Sequence, residues 1–423
     1  MNNSLSPLSL RGINYYPLDY IGLNRPDGSN LWPKGPWAAP EEVWEKDMDV
    51  AQSLYINCVR VFIENKIPGD VNGFYDEDYV NRFDSFLRVA SDRGIKAIPC
   101  GFWGATPSAY LPRIKKFIAR FKDDSRIIMW EVLNEPHTPQ HFSEVSDKLY
   151  HIKRKPDAYD KQRLTTVGVI RGVLRSIDDS QDLGDILQYH EYATDSILHG
   201  GIQKVEDYIN QVHLKRPTKK LMIGEFGCPT SDRCPDGNHP HTENDQYKWY
   251  FNILSAAEKH KDTIVGLFPW MMFDYPAHIS AGDKPWQAHY GIIKNDYSFK
   301  PAALLLRNTY SRWYRGEKMA NTKFYLPPLA YKSNVISYFY PLGESYKKGK
   351  YRIRIYEVPK GTVAISAWMT QEKSGKPHSG TAKINVKSVQ YHSGDRGCII
   401  EFEIEDTNTE IPIGVMFFFG RNE

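Results

Sequence analysis

Eight short apolar runs, each followed by a longer stretch able to carry a helix, limit most strongly what this 423-residue chain can fold into. They are Leu8–Tyr16, Ile56–Ile63, Ile95–Cys100, Ile127–Leu133, Leu164–Val169, Ile186–Tyr192, Leu221–Glu225 and Ile264–Met272. The stretches between them repeat with a helical period. In Pro40–Leu54 the positions are Val43, Asp47, Val50 and Leu54; in Tyr79–Arg93 they are Phe83, Phe86, Leu87 and Ala90. Strand–helix alternation implies a parallel sheet, and eight units predict a closed (β/α)8 TIM barrel with its active groups at the C-terminal ends of the strands.

Beyond about Arg315 the texture changes. Asn334–Tyr340, Tyr351–Glu357, Thr362–Trp368, Cys398–Ile404 and Ile411–Phe419 read as strands, with Gly, Pro, Ser and Asp in the gaps and no convincing helix. This pattern predicts a small C-terminal antiparallel β-sandwich domain. The boundary falls in the polar stretch Gly316–Asn321, giving a barrel over residues 1–315 and a sandwich over 316–423. The second domain is expected to support the barrel, with a glycan-binding module as the other reading.

Two carboxylates stand where the chemistry of such a barrel would be. Trp130-Glu131-Val132-Leu133-Asn134-Glu135-Pro136-His137 is an apolar run ended by a proline that cannot extend a ladder, so Glu135 sits at a strand end. Partial burial there is expected to raise its pKa into the range of a general acid. Leu221-Met222-Ile223-Gly224-Glu225-Phe226-Gly227 repeats the pattern with Glu225. Strand-end carboxylates from one parallel sheet converge on one face, and glycoside hydrolysis needs such a pair.

Composition removes several alternatives. A hydrophobic content of 41%, a charged content of 25% and a net charge of +3 give no argument for nucleic acid or an acidic membrane surface. No apolar run approaches the roughly 20 residues of a transmembrane helix. Met1–Leu8 lacks the marks of a signal peptide, so the expected location is the cytoplasm, or outside the cell if a leader has been removed. Five cysteines, an odd count, argue against a disulfide framework. Cys228, Cys234, His239 and His241 cluster after Glu225 at a spacing that matches no standard zinc site, and a Cys228–Cys234 disulfide or two thiols are the other readings. No metal or other cofactor is expected, and the oligomeric state is left open.

With these residues in view, the first 310 or so positions resemble clan A glycoside hydrolases, most closely the family 5 type of cellulases, mannanases and related β-glycosidases. Asn134-Glu135-Pro136 looks like the acid/base signature of that family, and Glu225 looks like its nucleophile. Arg60, in Val59-Arg60-Val61, matches the second-strand arginine beside the nucleophile. His190-Glu191-Tyr192 matches the sixth-strand His-x-Tyr, and Trp270 the eighth-strand tryptophan under the sugar.

Each match has a physical rationale. A buried Arg60 needs a carboxylate partner, either Glu225 or, for structure alone, Glu131 or Glu64. Asn134 can donate its amide to a sugar hydroxyl, Tyr192 can hydrogen-bond the nucleophile, and His190 can orient the acid. The sequence departs from the family at the third strand, where Ile98-Pro99-Cys100-Gly101-Phe102-Trp103 lacks the frequent histidine; Phe102 or Trp103 is expected to line that wall. Glu131 is taken as structural. Trp32 and Trp37, in the loop after the first strand, and Trp286 and Tyr290, after the last, are candidate sugar-stacking aromatics.

The resemblance implies a retaining β-glycosidase acting on gluco- or manno-configured carbohydrate. A transglycosylase using the same site and a carbohydrate-binding barrel of little activity are the alternatives. An aldolase-type barrel lacks a strand-end lysine and a phosphate-binding glycine pattern.

Overall fold

Eight parallel strands close a barrel in sequence order, β8 returning to pair with β1. They are β1 (Leu10–Asn14), β2 (Cys58–Phe62), β3 (Lys96–Cys100), β4 (Met129–Asn134), β5 (Leu164–Ile170), β6 (Ile186–Tyr192), β7 (Leu221–Gly227) and β8 (Ile264–Pro269). The structure is a computed structural model. It describes residues 5–17, 39–63, 77–102, 106–192, 195–231, 241–274, 288–295, 297–315, 330–332, 335–341, 349–355, 362–370, 384–391, 398–404 and 414–421. The chain divides into two units, Met1–Tyr314 and Arg315–Glu423.

The strands are followed in turn by α1 (Glu41–Ser53), α2 (Glu77–Ser91), α3 (Pro107–Phe121), α4 (Pro139–Leu149, continued by a π-helical turn, Tyr150–Arg154), α5 (Arg171–Leu174), α6 (Asp195–Lys215), α7 (Glu243–Lys259) and α8 (Pro301–Tyr314). Among the described residues no helix is long and apolar enough to cross a membrane. Two expectations shift in detail. α1 turns Trp44, Asp47, Met48 and Ala51 inward, leaving Val43 and Val50 half-buried. Asp47 is accommodated there because the hydroxyls of Tyr15 and Tyr297 donate to it at 2.9 Å each. The eighth strand stops at Pro269, short of Met272, and a cis peptide joins Trp270 to Met271.

Period-2 alternation stacks the barrel interior in levels. The lowest is apolar: Leu10, Cys58, Ile98, Met129, Ile186 and Met222 pack together there. Two residues further along the strands come the polar side chains Arg60, Glu131 and Gln188, buried without exposure. Above them Tyr16, Phe62, Cys100, Met271 and Tyr290 form an aromatic-rich cluster at the mouth. The larger core lies outside the strands, between them and the helices.

The second unit contains two antiparallel sheets. One has the order β12–β15–β10–β9 and the other β11–β14–β13, from β9 (Ala330–Lys332), β10 (Val335–Pro341), β11 (Gly349–Ile355), β12 (Thr362–Thr370), β13 (Ile384–Tyr391), β14 (Cys398–Ile404) and β15 (Gly414–Arg421). The short β9 and the polar-alternating β13 are additions to the five strands expected from the sequence.

Candidate active site

Glu135 leaves the end of β4 with φ 48°, in the left-handed region that a side chain with a Cβ rarely enters. Such a conformation costs about 1–3 kcal/mol and persists only where surrounding contacts enforce it. Here the Glu135 N–H donates to the Gly168 carbonyl of β5 at 2.7 Å. Its carboxyl Oε1 lies 2.9 Å from His190 Nδ1, and the side chain is 31% exposed.

Glu225, on β7, is buried and held from two sides. Arg60 Nη1 donates to Oε1 at 2.5 Å, and the Tyr192 hydroxyl donates to Oε2. His190 Nδ1 stands 3.5 Å from Oε2. One ligand-type atom each from Glu135, His190 and Glu225 therefore falls within 4.8 Å of the others. This is the metal-like donor cluster found among the described residues, but its atoms already face one another, Arg60 and Tyr192.

Arg60 organises the floor of the site. Its Nε and Nη2 make a bidentate pair with Glu131, both at 2.6 Å. Nη2 also donates to Asn134 Oδ1 at 2.6 Å and approaches Cys100 Sγ at 3.1 Å, while Nη1 donates to Asn14 Oδ1 at 2.7 Å. The sequence posed Glu225 and Glu131 as rival partners; the structure gives Arg60 both. Burial opposes the guanidinium charge, but Cys100, Glu131 and Glu225 outweigh it and hold the Arg60 pKa above its ordinary value. With its Oδ1 on Arg60, Asn134 keeps its amide N–H groups for another acceptor.

The expected rise in the Glu135 pKa is reversed. Burial does push it up, but the hydrogen bond to His190, with the Arg60 charge beyond it, pulls it below the ordinary glutamate value. For Tyr192, burial and the Glu225 charge act together and push the phenol up, so it remains a donor. The Cys100 thiol is likewise raised by burial.

Trp270 stands edge-on to Tyr16 and Phe62, with ring centroids 6.2 and 5.9 Å away, and those two rings stack at 5.6 Å. Tyr290 meets Tyr192 edge-on at 5.6 Å. Phe102 does not line the wall. Gly101, at φ 89°, breaks the strand alternation, and Phe102 is buried against Phe117 and Trp130 in the outer core; Cys100 occupies the inner position. Trp37 and Trp103 lie outside the described residues, as do Trp32, Glu64, Trp286, Cys234 and His239. Cys228 is buried, with Sγ 3.7 Å from His241 Nδ1.

Asn14 and Gln188 were missed by the sequence reading. Asn14 Nδ2 lies within 3.2 Å of the carbonyls of Gly224, Phe268 and Pro269, fastening β1 to β7 and β8 at the level of Arg60. Gln188 Nε2 lies 3.1 Å from Glu131 Oε1 and 3.2 Å from His190 Nε2. Space for this cluster comes from two glycines. A Cβ on Gly224 would fall 2.1 Å from Gln188 Nε2, and one on Gly168 would fall 2.6 Å from both Glu131 Oε1 and His190 Nε2. The available signal was parity: Gln188 shares a strand face with His190 and Tyr192.

Comparison with known proteins places this site in context. The family model of Cellulase (glycosyl hydrolase family 5) matches residues 20–272. Among solved structures, the chain is similar to a GH5_18 protein from Streptomyces cattleya in complex with GlcNAc, with a TM-score of 0.57 and 15% identity over 76% of this chain and 84% of that one. A variant of the Streptomyces cattleya GH5_18 protein in complex with Manβ1-4GlcNAc gives a TM-score of 0.58 at 14% identity, covering 76% and 86%. A GH5_18 protein from Bifidobacterium longum subsp. infantis gives 0.54 at 12% identity, covering 73% and 79%. At these identities the structural likeness is one of fold.

Proposed function

This chain belongs to glycosyl hydrolase family 5 and is a glycoside hydrolase; from that premise we propose that it is a retaining β-glycosidase acting on gluco- or manno-configured β-glycosides or oligosaccharides. The observation that carries the reading is the approach of Glu135 and Glu225, whose nearest carboxylate oxygens stand within 4.8 Å. Retaining enzymes place the two carboxyl groups about 5–5.5 Å apart, whereas inverting enzymes leave about 6.5–9.5 Å for a water.

In this proposal Glu225 is the nucleophile, ionised beside Arg60 and aligned by Tyr192. Glu135 is the acid in the first step and the base in the second. A bound sugar strips water from its partly exposed carboxyl and favours the protonated form, which gives its proton to the departing oxygen as Glu225 attacks the anomeric carbon. Once the glycosyl ester has formed, the hydrogen bond from His190, which holds the Glu135 pKa below its ordinary value, keeps the carboxyl ionised and able to accept the proton of the incoming water. The Asn134 amide donates to the hydroxyl next to the anomeric carbon, where the bond strengthens as positive charge develops. Trp270 offers a face to the sugar's C–H bonds, and Trp37 and Trp103 share that stacking role. Residues 1–315 are the catalytic domain, and the two C-terminal sheets are read as a supporting β-sandwich.

The test is chemical rescue following a screen of aryl β-glycosides and β-linked disaccharides, Manβ1-4GlcNAc among them. Azide should restore turnover to Glu225→Gly and yield an α-glycosyl azide. A product of inverted overall configuration from the wild type, or no rescue with any active substrate, would overturn the retaining assignment.

A further inference from the structure

We infer that Gln188 is a positioning residue that fixes the tautomer of His190 and thereby the carboxyl oxygen on which Glu135 carries its proton. The inference rests on the retaining reading above and goes beyond it, to a residue that touches neither carboxylate of the reacting pair.

Glu131 sets the donor pattern of this cluster. Its two oxygens sit in the fork of Arg60 at 2.6 Å each, with both side chains fully buried, so Glu131 is a carboxylate and can only accept. The Gln188 amide atom facing Glu131 Oε1 at 3.1 Å must therefore be nitrogen, since an oxygen there would set lone pair against lone pair. That same nitrogen lies 3.2 Å from His190 Nε2. An amide NH2 can only donate, so Nε2 accepts and carries no proton. Gly168 and Gly224 flank this amide, and a Cβ at either would stand 2.8 or 2.1 Å from Gln188 Nε2. Gln188 Oε1, buried and without a hydrogen-bond partner among the described residues, shows what this orientation gives up.

The consequence lies on the other side of the ring. A neutral His190 with a bare Nε2 carries its proton on Nδ1, which faces Glu135 Oε1 at 2.9 Å. His190 thus donates to Oε1. A proton on Glu135 must then reside on Oε2, the oxygen left for the leaving group. The opposite tautomer would draw the Glu135 proton onto Oε1, toward the protein and away from the bond to be broken. The charged and titratable groups around the ring are Glu131 from β4, Glu135 just beyond its end, Glu225 from β7, Arg60 from β2 and Tyr192 from its own strand. β5 contributes Gly168, which has no side chain.

The test has two parts. In wild-type protein labelled with 13C and 15N histidine, the His190 signals, identified by their loss in His190→Asn, should report a neutral Nδ1–H ring across the active pH range. An Nε2–H ring or imidazolium at the pH of greatest activity would overturn the inference, whatever the folding of any variant. In Gln188→Leu, kcat for poor leaving groups should fall about 10²-fold, while dinitrophenyl glycosides, which need no acid, should change by less than about fivefold. Equal losses across the leaving-group series would mean a merely structural role and would also overturn it. The ring measurement uses no substrate. Failed azide rescue at Glu225 would therefore remove the retaining reading without touching the tautomer result, and the reverse failure would leave retention intact.

Discussion

Replacing Glu131 by Gln tests whether the centre of the barrel is held by a shared charge or by shape. The two residues are nearly isosteric, so no cavity opens and the change falls almost wholly on electrostatics. In the native site the Arg60 fork meets two carboxylate oxygens at 2.6 Å, with no exposure on either side chain. A glutamine can present an oxygen to only one of those N–H groups; its own NH2 must face the other, or face the Gln188 amide, donor to donor. Removing one partner of a buried ion pair typically costs about 3–5 kcal/mol. Glu225, Asn14 and Asn134 remain on Arg60, so a value near the lower end, about 3 kcal/mol, is expected. The assay is equilibrium urea unfolding followed by tryptophan fluorescence, comparing midpoints at unchanged slope. A loss below about 1 kcal/mol would refute the reasoning, because it would mean that Glu225 and the two asparagines alone satisfy the buried guanidinium.

Three further outcomes follow from the geometry. Gly224→Ala sets a Cβ 2.1 Å from Gln188 Nε2, so it should destabilise the fold by about 1–3 kcal/mol and selectively slow substrates with poor leaving groups; equal slowing across an aryl-glycoside series would count against the link to His190. Tyr192→Phe removes a donor from Glu225 and should lower kcat about 10²-fold with little change in KM, read by steady-state kinetics on an aryl glycoside. Glu191 lies away from the reacting pair, buried against Arg171 at 2.5 Å, and burial pushes its pKa from an ordinary 4.5 up to about 7. Below 4.5 it is protonated in both folded and unfolded states. Between 4.5 and about 7 only the folded state keeps the proton, so stability should fall by about 3 kcal/mol across that window and stay lower above it. Unfolding midpoints at about pH 5 and about pH 8 should differ in the wild type and lose this component in Glu191→Gln; parallel profiles for the two proteins would contradict it.

The barrel and its two glutamates were legible because both depend on local pattern. An apolar run ended by Pro136 places Glu135 at a strand end wherever that strand packs, and the same holds for Glu225 before Gly227. Alternation along a strand likewise ties Arg60 to the face shared with Cys58 and Phe62. Where backbone geometry departs from alternation, the reading fails. Gly101 turns at φ 89°, so Phe102 goes into the outer core and Cys100 takes the wall. β13 leaves no clear strand signal because its apolar residues, Ile384, Val386 and Val389, alternate with polar ones irregularly, and its ladder carries a register shift between Val386 and Ser388.

The sequence by itself determined which carboxylates stand near strand ends, since strand ends are short-range properties, whereas Glu225 faces the site beside the inward Gly224 only because the β7–β8 ladder shifts register between Ile223 and Phe226. Only the tertiary structure decided how they are charged and held. Arg60 and Glu225 are 165 positions apart, and Asn14 reaches Gly224 across 210. Whether Glu135 ends with a raised or a lowered pKa depends on His190, 55 positions away, and on whether burial or that hydrogen bond is the stronger. Burial and pairing act in opposite directions on Arg60 and on Glu135. Their balance is set by distances of a few ångströms between strands, and no spacing along the chain encodes those distances.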